Sequence, residues 1–265
     1  MSKTYRPLQS PKPLAHTGVL YLETPPNIHL TEIIHCYWQL KSTEYLNQPF
    51  EYRVVADACI DIFFSPNQPN ESHIMGFCNT HTSFNLHPPF HYMGIRFLPG
   101  MFPALFKTDA QTLSHRFQNL NPVLQHTASF IANQFSEKQT FHHIVNQLNT
   151  HLSQKLHKQG LQLDPRFHKA LKHIIQNQEQ LPLSQQNQYA LSQRQMRRHF
   201  EYYIGDTPKA FSQIIRFQNA YKNALEQTHW LKNKTYYDFG YYDQAHFSKA
   251  FKQYYGQPPT KALGK

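Results

Sequence analysis

Two stretches of the chain repeat the same helix plan 51 residues apart, and this repeat constrains the fold more than any other feature. Residues 192–208 and 243–259 each begin with a Ser or Asp, whose side-chain oxygen can accept hydrogen bonds from the free amides of a first helical turn. Each then reaches a glycine, Gly205 or Gly256, which suits the left-handed position after a helix, and a proline follows three residues later. Because both stretches share an N-terminal capping residue, a glycine at the helix end and a proline that can begin the next helix, they predict two equivalent helices within one α-helical domain.

Each of the two predicted helices has one apolar face and one polar face. In the second, Phe247, Phe251 and Tyr254 recur at helical spacing and so fall on one side. A shorter helix is predicted just before each, near 184–189 and 234–239, which gives the helix-turn-helix arrangement whose second helix enters the DNA major groove. The outward side chains are mostly cationic or amide: Gln193, Arg194, Arg197 and Arg198 in the first helix, and Gln244, Ala245, His246 and Lys249 in the second.

The spacing and the charge of this C-terminal part both suit DNA. A helix of about 19 residues, roughly 28 Å long, is predicted between the two units, so it can hold them near successive major-groove segments. Residues 156–265 contain 16 Lys and Arg against 7 Asp and Glu, whereas residues 1–155 contain 10 against 9. A positive field confined to one half is typical of a polyanion binder, because each neutralised phosphate releases counterions. Arg suits guanine edges and phosphates, and Gln suits adenine.

The N-terminal half has a different pattern. Short apolar and aromatic runs at 33–40, 52–55, 60–64, 73–77 and 91–97, separated by Pro- and Asn-rich turns, predict strands of a small β-barrel or sandwich whose mouth can hold one ligand. Helices are predicted at 101–106, 109–117, 122–135 and 140–156, followed by a linker at 155–160. We therefore expect two domains, an α+β domain at 1–157 and an all-α domain at 162–265.

The motifs LSQRQMRRHF at 191–200 and GYYDQAHFSKAF at 240–251, the latter followed by YGQPP at 255–259, resemble the AraC/XylS family of bacterial transcription regulators. The resemblance covers about 164–262. It implies that both second helices enter adjacent major grooves of promoter DNA, with RNA polymerase as a further partner. The base contacts it implies fall on Arg194, Arg197 and Arg198, then on Ala245, His246 and Lys249, with Gln193 and Gln244 reaching backbone or base.

The motifs YW at 37–38, ADACID at 56–61 and GIRFLPG at 94–100 resemble, in order and spacing, a cupin-like sensor domain found on some members of this family. This resemblance implies an effector site or a dimerisation surface. The candidate effector-binding residues are Trp38, Asp57 and Arg96. Arg96 has two interpretations, a clamp for an anionic effector or a partly solvated charge between Ile95 and Phe97. Trp38 likewise has two, a ligand platform or a core residue. The apolar stripe of the 140–156 helix is either core or a homodimer contact.

The C-terminal half departs from the family pattern in the first helix of each unit. Gln186, Thr235 and Tyr236 stand where small or aliphatic residues are usual, and Ala190 replaces the usual glycine of the first turn. A tyrosine at a tight helix crossing is expected to push the two helices apart unless its neighbours are smaller.

Two other functions compete with the regulator. One is a metal-dependent cupin enzyme, which would use histidines such as His81, His87, His91 and the adjacent pair at 142–143 as metal ligands. The alternative is that these histidines are ordinary polar residues in a chain rich in His, Gln and Asn. Asp57 and Asp61 have two interpretations, a catalytic acid/base pair or structural residues at a turn or strand end. A non-specific nucleic-acid binder would share the charge. The sequence shows no apolar run long enough to span a membrane and no secretory signal, so we expect a cytoplasmic, non-enzymatic protein with no cofactor.

Overall fold

The computed structural model describes residues 5–9, 18–177, 189–227 and 229–263. The strands are β1 (Val19–Thr24), β2 (Ile34–Ser42), β3 (Phe50–Val54), β4 (Ile60–Ser65), β5 (Gln68–Met75), β6 (Thr82–Leu86), β7 (His91–Phe97) and β8 (Phe117–Asn119). The helices are α1 (Met101–Phe106), α2 (Gln125–Gln134), α3 (Phe141–Gln159), α4 (Pro165–Asn177), α5 (Gln193–Tyr203), α6 (Pro208–Glu226), α7 (Gln244–Tyr255) and α8 (Pro259–Leu263). The predicted β-rich N-terminal part and helical C-terminal part are confirmed.

The N-terminal part consists of two antiparallel sheets with helices on one side. Six strands pair in the order β1-β2-β7-β4-β5-β8, and β3 pairs with β6 separately. Side chains alternate along β4: Ile60, Ile62 and Phe64 are buried in the same apolar cluster as residues of α1, α2 and α3, while Asp61 and Phe63 project to the opposite face. This alternation leaves a cavity between the six-stranded sheet and the β3–β6 pair.

Several predicted boundaries in this half were wrong. The helix proposed for 109–117 is a 3-10 helix, Ala110–Leu113, followed by β8, and the linker proposed for 155–160 is still helical, because α3 continues to Gln159 and stops at Gly160. No strand was predicted before residue 33, yet β1 pairs along its whole length with β2. No helix of the described residues is long and apolar enough to cross a membrane.

The C-terminal helices pack around α6. The Phe200 ring of α5 lies 5.7 Å from Phe211 in the first turn of α6. On α7, the Phe251 ring lies 5.6 Å from Phe217 and 5.8 Å from Tyr221, near the middle of α6. Aromatic pairs of this kind add to the burial of their large apolar area. Thus α6 supports both of the repeated helices, as the repeat predicts.

The two halves of the chain share one buried core and several hydrogen bonds. Gln218 of α6 is buried, and its Nε2 donates to Ala56 O at 2.8 Å, while its Oε1 accepts from Leu8 N at 2.8 Å. The Ala56 amide in turn donates to Tyr254 O of α7 at 3.0 Å. The segment before β4 therefore contacts the central helix and the end of the second repeated helix at the same time.

Both repeat glycines lie against the N-terminal half. Gly205 has a φ of +98° and its carbonyl accepts from Ser114 Oγ at 2.8 Å; a Cβ at this position would collide with that hydroxyl. Gly256 has a φ of +94°, and a Cβ there would lie 2.6 Å from His81 Cδ2. Next to it, Gln253 O accepts from His81 N at 3.0 Å. Each glycine thus ends a helix and also allows close contact between the halves.

Candidate nucleic-acid interface and N-terminal cavity

The first repeated helix, α5, begins with a complete capping box. Ser192 Oγ accepts from Gln195 N at 3.2 Å, and Gln195 Oε1 accepts from Ser192 N at 2.9 Å. The C-terminal end of α5 is packed against the N-terminal half, so the exposed surface of the helix lies toward its N-terminus. Arg197 Nε donates to Glu201 at 2.8 Å, an exposed pair one turn apart. All four predicted DNA-contacting residues of this helix are exposed: Gln193, Arg194, Arg197 and Arg198.

The second repeated helix, α7, is capped by Asp243, whose Oδ1 accepts from His246 N at 2.7 Å. Gly240, with a φ of +70°, makes the turn that precedes it. The Tyr242 amide donates to His246 Nδ1 at 3.3 Å, which leaves Nε2 as the ring nitrogen that can donate outward. The four predicted DNA-contacting residues of α7 are also exposed: Gln244, Ala245, His246 and Lys249.

Tyr236 does not disrupt the second unit, because an aromatic cluster surrounds it. The preceding short helix is a 3-10 helix, Thr235–Phe239, and the Tyr236 ring stacks on Phe247 with centroids 6.0 Å apart and planes 11° apart. Trp230 is fully buried and its ring lies 4.8 Å from Phe247. Trp230 was not predicted as a functional or core residue; its signal in the sequence is a tryptophan just after a predicted helix. Gln186 and most of the predicted 184–189 helix lie outside the described residues.

Arg216 of α6 is another residue that the sequence analysis missed. Its Nη1 donates to Gly240 O at 3.3 Å, and its guanidinium lies 4.8 Å from the centre of the Tyr241 ring. These contacts join α6 to the turn before α7, and a cation over an aromatic face is attractive. Arg216 therefore positions the turn that precedes α7.

The cavity of the N-terminal half has a volume of about 340 Å³ and lies between the two sheets. The Trp38 ring is buried in an apolar cluster, as the core interpretation has it, and it also borders the cavity, so its role as a ligand platform stays a prediction. The polar residues of the lining are Asp61, Arg96, His73 and Asn85. The aromatic part consists of Trp38, Tyr52, Phe63, Phe84, Tyr92 and Phe117.

Arg96 is 1 % exposed, so its interpretation as a partly solvated charge was wrong. Its Nη2 donates to Asp61 Oδ2 at 3.0 Å and its Nη1 to Glu23 Oε1 at 3.2 Å, while Nε lies 3.2 Å from Asp57 Oδ2. Alternation places it opposite Ile95 and Phe97, on the cavity side of β7. Three carboxylates therefore surround one guanidinium, a set that a sequence-based search for an anion clamp did not foresee.

Asp57 and Asp61 are brought together by Arg96 and have different local roles. Asp57 lies in the loop before β4, where its Oδ1 accepts from Cys59 N at 3.0 Å, as expected for a turn residue. Asp61 lies within β4 and its Oδ2 accepts from Trp38 Nε1 at 2.9 Å. Burial raises the pKa of Asp61 to about 6, while the neighbouring Arg96 opposes the shift and Asp57 adds to it.

Asp61→Asn is expected to change how stability depends on pH. Because the folded-state pKa of Asp61 lies above its ordinary value of about 3.9, Asp61 contributes stability that is present at acid pH and is lost as pH rises through about 6. Urea unfolding of both proteins between pH 4.5 and pH 8 measures the difference. The wild type should gain stability relative to Asp61→Asn as pH falls; a constant difference would contradict the shifted pKa.

The described residues offer little support for a histidine metal site. Within them, the group of three potential ligand atoms close enough to share an ion consists of Glu23, His35 and Cys36, and it includes none of the histidines named from the sequence. Glu23 there already accepts from Arg96 and from the Tyr21 hydroxyl, at 2.6 Å in the latter case. His91 Nε2 lies 3.1 Å from Gln39 Nε2, so it has a polar neighbour of its own.

Comparisons with known proteins agree with the division into two parts. A family model described as a helix-turn-helix domain matches residues 187–264, and one described as a domain of unknown function, DUF6597, matches residues 22–119. A search of the curated proteins finds no match.

Among solved structures, the chain is similar to ToxT from Vibrio cholerae O395, at 10 % identity and a TM-score of 0.45, covering 93 % of this chain and 97 % of that one. It is also similar to ToxT from the same strain bound to (E)-4-(8-methylnaphthalen-1-yl)but-3-enoic acid, at 10 % identity and a TM-score of 0.45, covering 83 % of this chain and 96 % of that one. A third similar structure is unsaturated fatty acid bound wild-type ToxT from Vibrio cholerae strain SCE256, at 12 % identity and a TM-score of 0.43, covering 94 % of this chain and 95 % of that one. Likenesses this distant carry no argument about ligands.

Proposed function

We propose, from the AraC-type helix-turn-helix domain that this chain carries, that the protein is a sequence-specific DNA-binding transcription regulator. The observation that carries the proposal is the pairing of two capped helices on one supporting helix. Each of the two presents four polar or small side chains, mostly cationic or amide, to solvent. A non-specific binder needs the positive charge alone, whereas base readout needs side chains held in register on rigid helices.

Arg198→Ala and Lys249→Ala are each expected to weaken binding to the operator by about 5- to 150-fold, the ~1–3 kcal/mol typical of one base or phosphate contact. The operator can be selected from random duplexes, and the affinities measured by gel shift at fixed salt. Lys138→Ala is the matched control, since it removes one exposed positive charge from the turn between α2 and α3.

Two results would contradict the proposal in different ways. If Lys138→Ala weakens binding as much as Lys249→Ala, net charge rather than helix placement controls binding. If the wild type binds all duplexes equally at fixed salt, the protein is a non-specific nucleic-acid binder, because sequence-specific proteins bind their sites about 10³-fold or more above random DNA.

We infer further that residues 1–157 control residues 162–265 through a small effector in the 340 Å³ cavity. The supporting contacts form a continuous series from the cavity to the C-terminal helices. Arg96 lines the cavity and pairs with Asp57, and the preceding residue, Ala56, forms hydrogen bonds with Gln218 of α6 and Tyr254 of α7. A ligand that changes the Arg96–Asp57 contact therefore acts on the segment that contacts α6, the support of both repeated helices, and the C-terminal end of α7.

The remaining partners follow from this role. A regulator of this type acts on promoter DNA in the cytoplasm and contacts RNA polymerase. Homodimerisation is part of the proposal as well, through the N-terminal half. The contacts with RNA polymerase and with a second copy of the chain rest on the proposed function alone. The DNA-binding test above does not depend on them.

A further inference from the structure

We propose that the N-terminal cavity takes an organic cation with an apolar body, such as an aromatic or alkyl ammonium, and excludes carboxylates. This inference rests on the proposed effector function of the same cavity and names the chemical class of the effector. It is carried by two properties, the surplus of negative charge in the ionic cluster around Arg96 that borders the cavity, and the aromatic walls of the cavity itself.

The ionic cluster that borders the cavity carries more negative than positive charge. Among the described lining residues Arg96 is the only Lys or Arg, and its guanidinium is faced by Asp61, which also lines the cavity, and by Asp57 and Glu23, which reach it from outside the lining. Three carboxylates against one guanidinium leave a formal surplus of negative charge. A guest carboxylate would have to approach Arg96 beside Asp61, and like charges at such distances repel strongly in a buried site.

The histidine in the lining does not reverse this balance. His73 lies across the cavity wall on β5, stacked on Phe63 with centroids 5.4 Å apart. Burial lowers its pKa, so its neutral form is favoured. The described lining therefore offers an anion no positive group that is free of a carboxylate partner.

The aromatic walls of the cavity suit both the apolar body and the cationic group of such a ligand. Six aromatic rings line the space, and the faces of Trp, Tyr and Phe attract cations as well as apolar groups. Asp61, held by Trp38 Nε1 and by Arg96, supplies a fixed carboxylate at the edge of the aromatic surface. An aromatic enclosure with one carboxylate is the arrangement that recognises alkylated ammonium groups. The cavity volume is also within the range of small-molecule sites.

The test uses the full chain and three phenyl probes that differ in charge, of which the cation and the uncharged probe also share one shape. These are phenyltrimethylammonium, its uncharged isostere tert-butylbenzene and the anion benzoate, with dissociation constants from calorimetric titration or from competition. We expect phenyltrimethylammonium to bind at least about tenfold more tightly than either other probe, the gain expected when a cation meets aromatic faces and a carboxylate away from water. Asp61→Asn should remove most of that preference, and Glu137→Gln, an exposed carboxylate beyond α2, should leave it unchanged.

The wild-type probe series is decisive even if Asp61→Asn fails to fold. Equal or tighter binding of benzoate or tert-butylbenzene would overturn the inference, and so would an absence of phenyltrimethylammonium binding. DNA affinity measured with each probe at saturation separates this inference from the proposed function. If phenyltrimethylammonium binds but leaves DNA affinity unchanged, the cation site stands and effector control fails. If DNA affinity responds to benzoate alone, effector control stands and the cation site fails.

Discussion

Arg96→Met is expected to cost about 3–5 kcal/mol of folding stability at pH 8, because it removes one partner from a buried ionic cluster. Methionine fills much of the same volume, so the main loss is electrostatic. Asp61 and Asp57 would keep their charges in a buried site without the guanidinium that faces them. Arg96 lowers the pKa of Asp61 in the folded protein, so its removal should raise that pKa further.

The pH dependence of this loss distinguishes electrostatics from packing. With the pKa of Asp61 raised further, protonation at pH 5 neutralises the unpaired carboxyl in the variant, and the loss should be clearly smaller than at pH 8. Urea unfolding followed by circular dichroism at both pH values measures it. Arg116→Met, which removes an exposed arginine of the same half, should change stability by no more than about 0.5 kcal/mol. An equal loss at both pH values would assign the effect to packing.

The C-terminal half was predictable from the sequence because its signals are local. A cap, a stop glycine and a 3.6-residue stripe lie within one helix, so α5, α6 and α7 follow with their bounds nearly correct. The outward faces follow from the same periodicity, since the residues left off the stripe of Phe247 and Phe251 are the exposed ones. Whether those faces contact DNA bases stays a prediction.

The cavity was less predictable because its polar groups come together through strand pairing. Glu23, Asp61 and Arg96 are far apart in the sequence and meet only because β2 lies between β1 and β7, and β7 lies next to β4. Period-2 alternation identifies which side of a strand a residue faces but not which strand is its neighbour. β1 was missed in addition, and with it Glu23. A search for single charged residues therefore named Arg96, Asp57 and Asp61 without predicting that they form one ionic cluster.

The contact between the halves could not be predicted either. Gly205 and Gly256 were correctly assigned to helix ends, but the same two positions also lie against Ser114 and His81. A glycine required by a turn gives no separate signal when it is also required by close packing. Gln218 is a similar case, since nothing in the sequence marks this glutamine of α6 as buried, and it joins three segments of the chain.

Trp230 provides the other large effect, because it holds the second helix-turn-helix unit together. It is fully buried, packs against Phe247 at 4.8 Å and Tyr236 at 6.1 Å, and its Nε1 donates to Asn223 Oδ1 of α6 at 2.7 Å. Its ring thus connects the supporting helix, the short 3-10 helix and α7. The contacts between α5 and the first turn of α6 do not include it.

Trp230→Ala is therefore expected to cost about 3–5 kcal/mol of stability, the range for removing a buried aromatic side chain. Its effect on DNA should be confined to one half of the operator, because α7 loses its support while α5 keeps its own. Footprinting at high protein concentration measures this: protection should be lost over the groove segment that α7 contacts and retained over the other. Trp230→Phe keeps most of the ring packing and should keep both halves. Loss of the whole footprint in Trp230→Ala, with the protein still folded, would mean that the two units do not bind as separately supported elements.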